Sequence, residues 1–316
     1  MDDRRSPLLG SLTVAVAACL FAMLGVLSRF AFDLGLTPFA FVTWRAGVAA
    51  LVMAAIIAVG LRRGGRLVSW RSLDGRARAS FGVAALMGAT LDITMFQAFA
   101  RVPVAIVLLC FYTFPAIVAG ASALLGWDRM DRPRAVALVI ALGGMVAVVI
   151  GGPTSGTSSG LDPLGVALAL ASAASQAVFV LVSRRGYRAV PTDQAMGTIL
   201  TVSAGIAVVL AVAGDGWSSV SLPLDSPDLL GLLLFGGVFA AAIPSFMFLA
   251  GIRWIGPVRA GVLMLIQPLV GVALAALFLQ EAVGPVQAAG GLAILTAAVI
   301  IQRAAAPSLL PSEPLG

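Results

Sequence analysis

Apolar runs of near-constant length alternate with short polar connections along this chain. A helix needs roughly 20 apolar residues, rising ~1.5 Å each, to cross a hydrocarbon core about 30 Å thick. Ten runs meet that length, at about 8–30, 38–60, 79–100, 103–126, 134–152, 163–183, 192–213, 228–251, 258–280 and 285–302. The pattern predicts an all-α integral membrane protein with ten transmembrane helices. Arg4 and Arg5 precede the first run as they would precede a secretory signal, but nine further runs follow. The first helix is therefore expected to stay in place.

The connections differ in charge. With the N-terminus in the cytoplasm and the connections numbered alternately, 17 of the 20 arginines fall on the inner side. Arg29 and Arg101 fall outside, and Arg45 lies within a span. The outer segments GGPTSGTSSGLD and DGWSSVSLPLDSPD carry no basic residue. This asymmetry is what the positive-inside rule requires, and it predicts a multi-pass protein of a bacterial-type plasma (inner) membrane with both termini cytoplasmic.

The runs also repeat. LG at 9–10 and SR at 28–29 return at 164–165 and 183–184, offset by 155. Pro38 and Pro191 are offset by 153, as are Pro115 and Pro268. Spans one to five thus correspond to spans six to ten. Because five is odd, the second half enters the membrane from the opposite face. The expected organisation is two inverted five-helix repeats, 1–152 and 163–303, followed by a disordered cytoplasmic tail at 304–316, where prolines interrupt any periodicity.

Composition narrows the function classes. Hydrophobic residues make up 60% and charged residues 11%, too few to wet a soluble surface of this size. The net charge of +6 comes entirely from arginines in short connections, which points to membrane orientation and to the lipid bilayer as partner, not to nucleic acid. Cys19 and Cys110 sit in apolar runs, and histidine is absent, so neither a metal site nor a cofactor is expected.

Two prolines carry the candidate chemistry. An interior proline removes a helix hydrogen bond and frees the carbonyl four residues back, here those of Phe111 and Met264. Pro115 and Pro268 lie about ten to twelve residues into spans four and nine, ~15–18 Å deep and near the midplane. Paired breaks in two inverted halves mark a central binding site and its gating elements, whereas the plainer reading is a pair of packing kinks. Two charges, both candidate substrate-binding groups, lie inside the bilayer at matching depth, Arg45 in span two and Asp92 in span three. A salt bridge between them is expected, against snorkelling of Arg45 and capping of Asp92 by Thr90 or Thr94. A carboxylate committed to an arginine is a poor proton carrier, so uniport or exchange, or proton coupling through another site, is expected. Gln97, Tyr112, Gln176 and Gln267 are neutral groups able to orient a ligand or to bond between helices. Phe111 and Phe246 offer apolar contact to a ligand, or to lipid and neighbouring helices.

These motifs resemble the EamA branch of the drug/metabolite transporter (DMT) superfamily over nearly the whole chain. The resemblance rests on Arg45 in WRAGVAALVM, on Pro115 through Asp128, and on Pro268 through Glu281 followed by PVQAAGGLAILTAAVI. Trp127 and Gln280 stand where the family usually has glycine, and Asp128 where it has glutamate. The resemblance implies ten helices around a central cavity, lined chiefly by helices one, three, four, six, eight and nine. It also implies movement of small metabolites, often outward; it carries over no substrate, and the class that the amide, phenol and carboxylate candidates themselves suit is a zwitterionic or amphipathic metabolite such as an amino acid. A chain containing both halves needs no second copy to form a pathway, and homo-oligomerisation stays open. The rival classes are a structural or regulatory membrane protein and an intramembrane enzyme. The latter lacks its residues: without histidine there is no HExxH or Ser–His pair. Arg71 and Phe96 also occupy two of the four acidic positions that a CDP-alcohol phosphotransferase site would need.

Overall fold

The computed structural model describes residues 7–102, 104–126, 131–150, 162–279 and 284–303. The 151–161 connection, the 304–316 tail and the motif positions Trp127, Asp128, Gln280 and Glu281 lie outside them. Every long element is helical. Among the described residues, six helices are long and apolar enough to cross a bilayer unaided. They are α1 (Pro7–Asp33), α2 (Pro38–Arg62), α3 (Gly75–Phe99), α7 (Pro163–Arg185), α8 (Thr192–Asp215) and the composite formed by α10 (Pro227–Phe235), a π-helical turn (Gly236–Ala242) and α11 (Ile243–Ile255). Span four is two pieces, α4 (Val104–Phe111) and α5 (Phe114–Leu124), as is span nine, α12 (Pro257–Met264) and α13 (Ile266–Leu279). Spans five and ten are α6 (Arg132–Ile150) and α14 (Pro285–Arg303). A short α9 (Trp217–Ser221), not expected from the sequence, lies in the connection after α8.

Most prolines open helices, where the missing amide has no intrahelical partner in any case. Pro38, Pro163, Pro227 and Pro257 take the first positions of their helices. Side-chain caps fix several starts: the Ala77 amide donates to Asp74 Oδ1 at 2.6 Å and the Leu164 amide to Asp162 Oδ1 at 2.9 Å. Packing faces are built from small residues, with Ala17, Ala18, Ala49, Ala173 and Ala260 fully buried. Large apolar residues such as Leu51 (72% exposed) and Leu124 (91%) point outward. Small inside and large outside is how helices associate when lipid is the solvent.

The pseudo-two-fold relation is legible in single contacts. α1 packs on α11 as α7 packs on α3, while α2 with α8 and α6 with α14 pair across the axis. A Cβ on Gly10 would lie 2.5 Å from Ile255 Cγ2; on Gly165 it would lie 2.7 Å from Val102 Cγ1. The two glycines carry the 155 offset and their partners the 153 offset. Likewise Trp44 Nε1 donates to Val220 O (2.8 Å) from α2, and from α8 Gln194 joins both backbone groups of Val68 (2.9 and 2.7 Å). In each case the second span of one half grips the connection after the second span of the other.

Candidate functional site

The site is assembled from the two interrupted spans. α4 stops at Phe111, and the Thr113 amide turns back to Cys110 O at 3.2 Å, a tighter i→i−3 bond. Thr113 Oγ1 donates to the same carbonyl at 2.6 Å. In span nine the Leu265 amide donates to Val262 O at 3.1 Å before α13 begins. Both interruptions begin three residues before their buried prolines, because the ring at Pro115 or Pro268 excludes the carbonyl one turn earlier. The half-helices touch: a Cβ on Gly261 of α12 would meet Pro115 Cβ at 3.5 Å and Phe114 Cε2 at 3.6 Å. Around this crossing Phe111 packs against Tyr112 and Phe114, with centroids 5.2 and 5.3 Å apart. Phe246 is half-buried against the same core.

Polar groups at this level lack partners. Tyr112 has no exposed surface, and its hydroxyl has no hydrogen-bond partner among the described residues. The same holds for Gln176 Oε1 on α7, 5% exposed. Leaving such a group unmade costs ~1–3 kcal/mol. Gln97 on α3 and Gln267 at the start of α13 are half-buried, and neither hydrogen-bonds another of the sequence-predicted residues.

Arg45 and Asp92 are brought together as expected, in a direct ion pair between α2 and α3. Arg45 is 4% exposed, with its guanidinium carbon 5.4 Å above the Phe96 ring, so it does not snorkel. Thr90 and Thr94 donate to carbonyls of their own helix and not to Asp92. The second partner is Ser203 of α8, whose hydroxyl donates to Asp92 Oδ2 at 2.8 Å. Nothing in the sequence singles out Ser203 among the serines of the apolar runs. The carboxylate therefore ties three helices and both halves together.

A second cluster occupies the arginine-rich end. Arg184, at the end of α7, donates to the carbonyls of Ile252 (3.1 Å) and Arg253 in the last turn of α11. Arg253 reaches back to Val190 O (2.9 Å) and Thr192 Oγ1 (3.1 Å), its guanidinium 5.3 Å above the Tyr187 ring. Tyr187 stacks on Phe81 of α3 at 5.0 Å and shares a 2.6 Å hydrogen bond with Ser183. Burial pushes the Tyr187 hydroxyl up to about 12, so it stays neutral. Arg259, also read from the sequence as an orienting charge, is buried and donates to Ser11 Oγ at 3.2 Å. The cue was present: cations in the last turn of a helix favour its free carbonyls. The π-helical turn of span eight was missed as well, although Pro244, eight residues after Gly236 and seven after Gly237, is a third interior proline. Such turns recur at functional sites.

Ten spans in two inverted halves, with paired interruptions at mid-depth, define the class of secondary-transporter folds. The EamA-like transporter family matches residues 8–150 and again 163–303, and the chain belongs to that family. It is a membrane transporter of the drug/metabolite type. A solved crystal structure shares the fold with a TM-score of 0.74 at 22% identity, over 92% of this chain and 95% of the other. No curated protein matches the chain.

Proposed function

We propose that the protein moves a small amphipathic or amino acid-like metabolite through a central pathway by alternating access, in a bacterial-type plasma membrane with both termini cytoplasmic. The observation that carries this reading is the pair of interruptions at Tyr112–Thr113 and Leu265, which flank the crossing of α5 and α12 at Pro115 and Gly261. Irregular backbone at mid-bilayer is tolerated only where protein or a polar pathway covers it. α5 and α12 are the halves nearer the arginine-rich end. Among the described residues no comparable packing joins their two-fold counterparts, α4 and α13. With the Arg184–Arg253 cluster, this supports a state closed on the cytoplasmic side, while the two-fold relation supplies its mirror image. Phe111, Tyr112, Gln176, Phe246 and Gln267 are the substrate-facing candidates, Pro115 and Pro268 the hinges. Asp92, paired with Arg45 inside the first half and accepting from Ser203 of the second, holds the two halves in register, and Gln97 is a further candidate on α3. Purified protein in liposomes, preloaded with a metabolite mixture, tests the reading: it predicts counterflow of at least one labelled compound. A protein that moves none would return the structural or regulatory role to first place.

A further inference from the structure

Resting on the transport reading, we infer the chemical class of the substrate from the asymmetry between the two halves. The Gly165–Val102 contact sets the starts of α4 and α7 level. Tyr112 lies ten residues beyond Val102 and Gln176 eleven beyond Gly165, about 15 and 16.5 Å at helical rise. The two orphaned polar groups are thus at one depth, at the interruption of span four, on elements that pack together. The Gly10–Ile255 contact sets the same register from the opposite end. There the 153 and 155 offsets convert Tyr112 into Leu265 and Gln176 into Phe21. Leu265 is fully buried and Phe21 packs against the same core as Phe246. At these two positions one side of the midplane is therefore polar and short of partners and its two-fold counterpart is apolar, with the half-buried Gln267 following two residues after Leu265.

The polar side is also uncharged. Arg45 is held by Asp92, and Arg259, which donates to Ser11 Oγ, lies four residues beyond Ile255, only ~6 Å in from the arginine-rich end at helical rise. The start of α5 is no anion cradle either. Pro115 has no amide, and the amides of Ala116 and Ile117 already donate to Thr113 O at 3.0 and 3.2 Å. The substrate this site fits is a neutral amphipath: an uncharged head that accepts from the Tyr112 hydroxyl and donates to Gln176 Oε1, on an aromatic or aliphatic tail that meets Phe21, Leu265 and Phe246. A primary amide supplies both functions of the head. A carboxylate or ammonium would enter a neutral midplane without a countercharge.

The test uses the full chain in lipid nanodiscs and four probes sharing one tail: 3-phenylpropionamide, 3-phenylpropionate, 3-phenylpropylamine and phenylalanine. The amide should bind at least about tenfold more tightly than each charged probe, by calorimetry or by melting-temperature shift. Tyr112→Phe and Gln176→Leu should each weaken amide binding about tenfold, the scale of one hydrogen bond. Removing an orphaned hydroxyl should leave the melting temperature of unliganded Tyr112→Phe unchanged or raised. Equal or tighter binding of a charged probe, an unchanged amide affinity in both variants, or a lower unliganded melting temperature for Tyr112→Phe would overturn the assignment. If none of the four binds while the liposome mixture still shows counterflow, the neutral class falls and the transport reading stands. If no compound is moved at all, the transport reading itself falls.

Discussion

Asp92→Asn changes one charge and almost no volume, which makes it a sharp test of the interhelical ion pair. The amide can still accept from Ser203, so the hydrogen bond to α8 is kept. Arg45, 4% exposed and lying over Phe96, loses its countercharge. Two unit charges ~4 Å apart are worth about 4 kcal/mol at an effective dielectric near 20. Removing one partner of a buried pair typically costs ~3–5 kcal/mol. The Asp92 side chain keeps 18% of its exposure, which places the loss toward the lower end. At ~2–4 °C per kcal/mol, Asp92→Asn should melt about 6–12 °C below the parent in the same detergent. The double variant Arg45→Leu/Asp92→Leu should recover most of that, because an apolar replacement of a whole buried pair is often neutral. An Asp92→Asn protein that melts with the parent would refute the reasoning, as would a double variant no more stable than the single one.

The same variant bears on coupling: if Asp92 is structural, Asp92→Asn should keep the parent's dependence of transport rate on pH, and loss of that dependence would make Asp92 the proton carrier. Gly237→Ala should destabilise by about 1–3 kcal/mol, since the new Cβ would lie 2.5 Å from Val48 Cβ. Gly25→Ala, with nothing within 4 Å, should be neutral or stabilising by up to ~1 kcal/mol, and thermal melts compare the two directly. Arg253→Ala removes the ties to Val190 and Thr192, and should raise the labelling rate of a cysteine placed at Val190 from the cytoplasmic face. The share of stability due to the neutral Tyr187 hydroxyl should be intact below pH ~10, its ordinary range, and be lost as pH rises through about 12.

Much of the architecture was legible because the bilayer imposes a length on each element and the duplication writes each feature twice. Pro115 and Pro268 announced both interruptions, since a proline at that depth has few structural outcomes. Arg45 and Asp92 announced their pairing because few charges survive in hydrocarbon. Ser203, by contrast, was one serine among many, and only the packing of α3 against α8 distinguishes it. Arg184 and Arg253 read in the sequence as orienting charges; their second use, Arg184 on the carbonyls closing α11 and Arg253 on Val190 and Thr192 at the start of α8, depends on where α7 and α11 end in space. The π-helical turn was signalled only by Pro244 and the Gly236–Gly237 pair, which are also compatible with an ordinary close helix crossing. The polar side of the midplane emerged only once Gly165 and Gly10 fixed the register of neighbouring helices.

The claim underlying all of this is that the interruption at Tyr112–Thr113 can be reached from either side of the membrane in turn. In a chain carrying Cys19→Ala and Cys110→Ala, a single cysteine at Thr113 can be challenged in liposomes with a membrane-impermeant thiol reagent applied to one face at a time. Alternating access predicts modification from both faces, each slower than in the unfolded protein. Modification confined to one face, or achieved only by a lipid-soluble reagent, would contradict it.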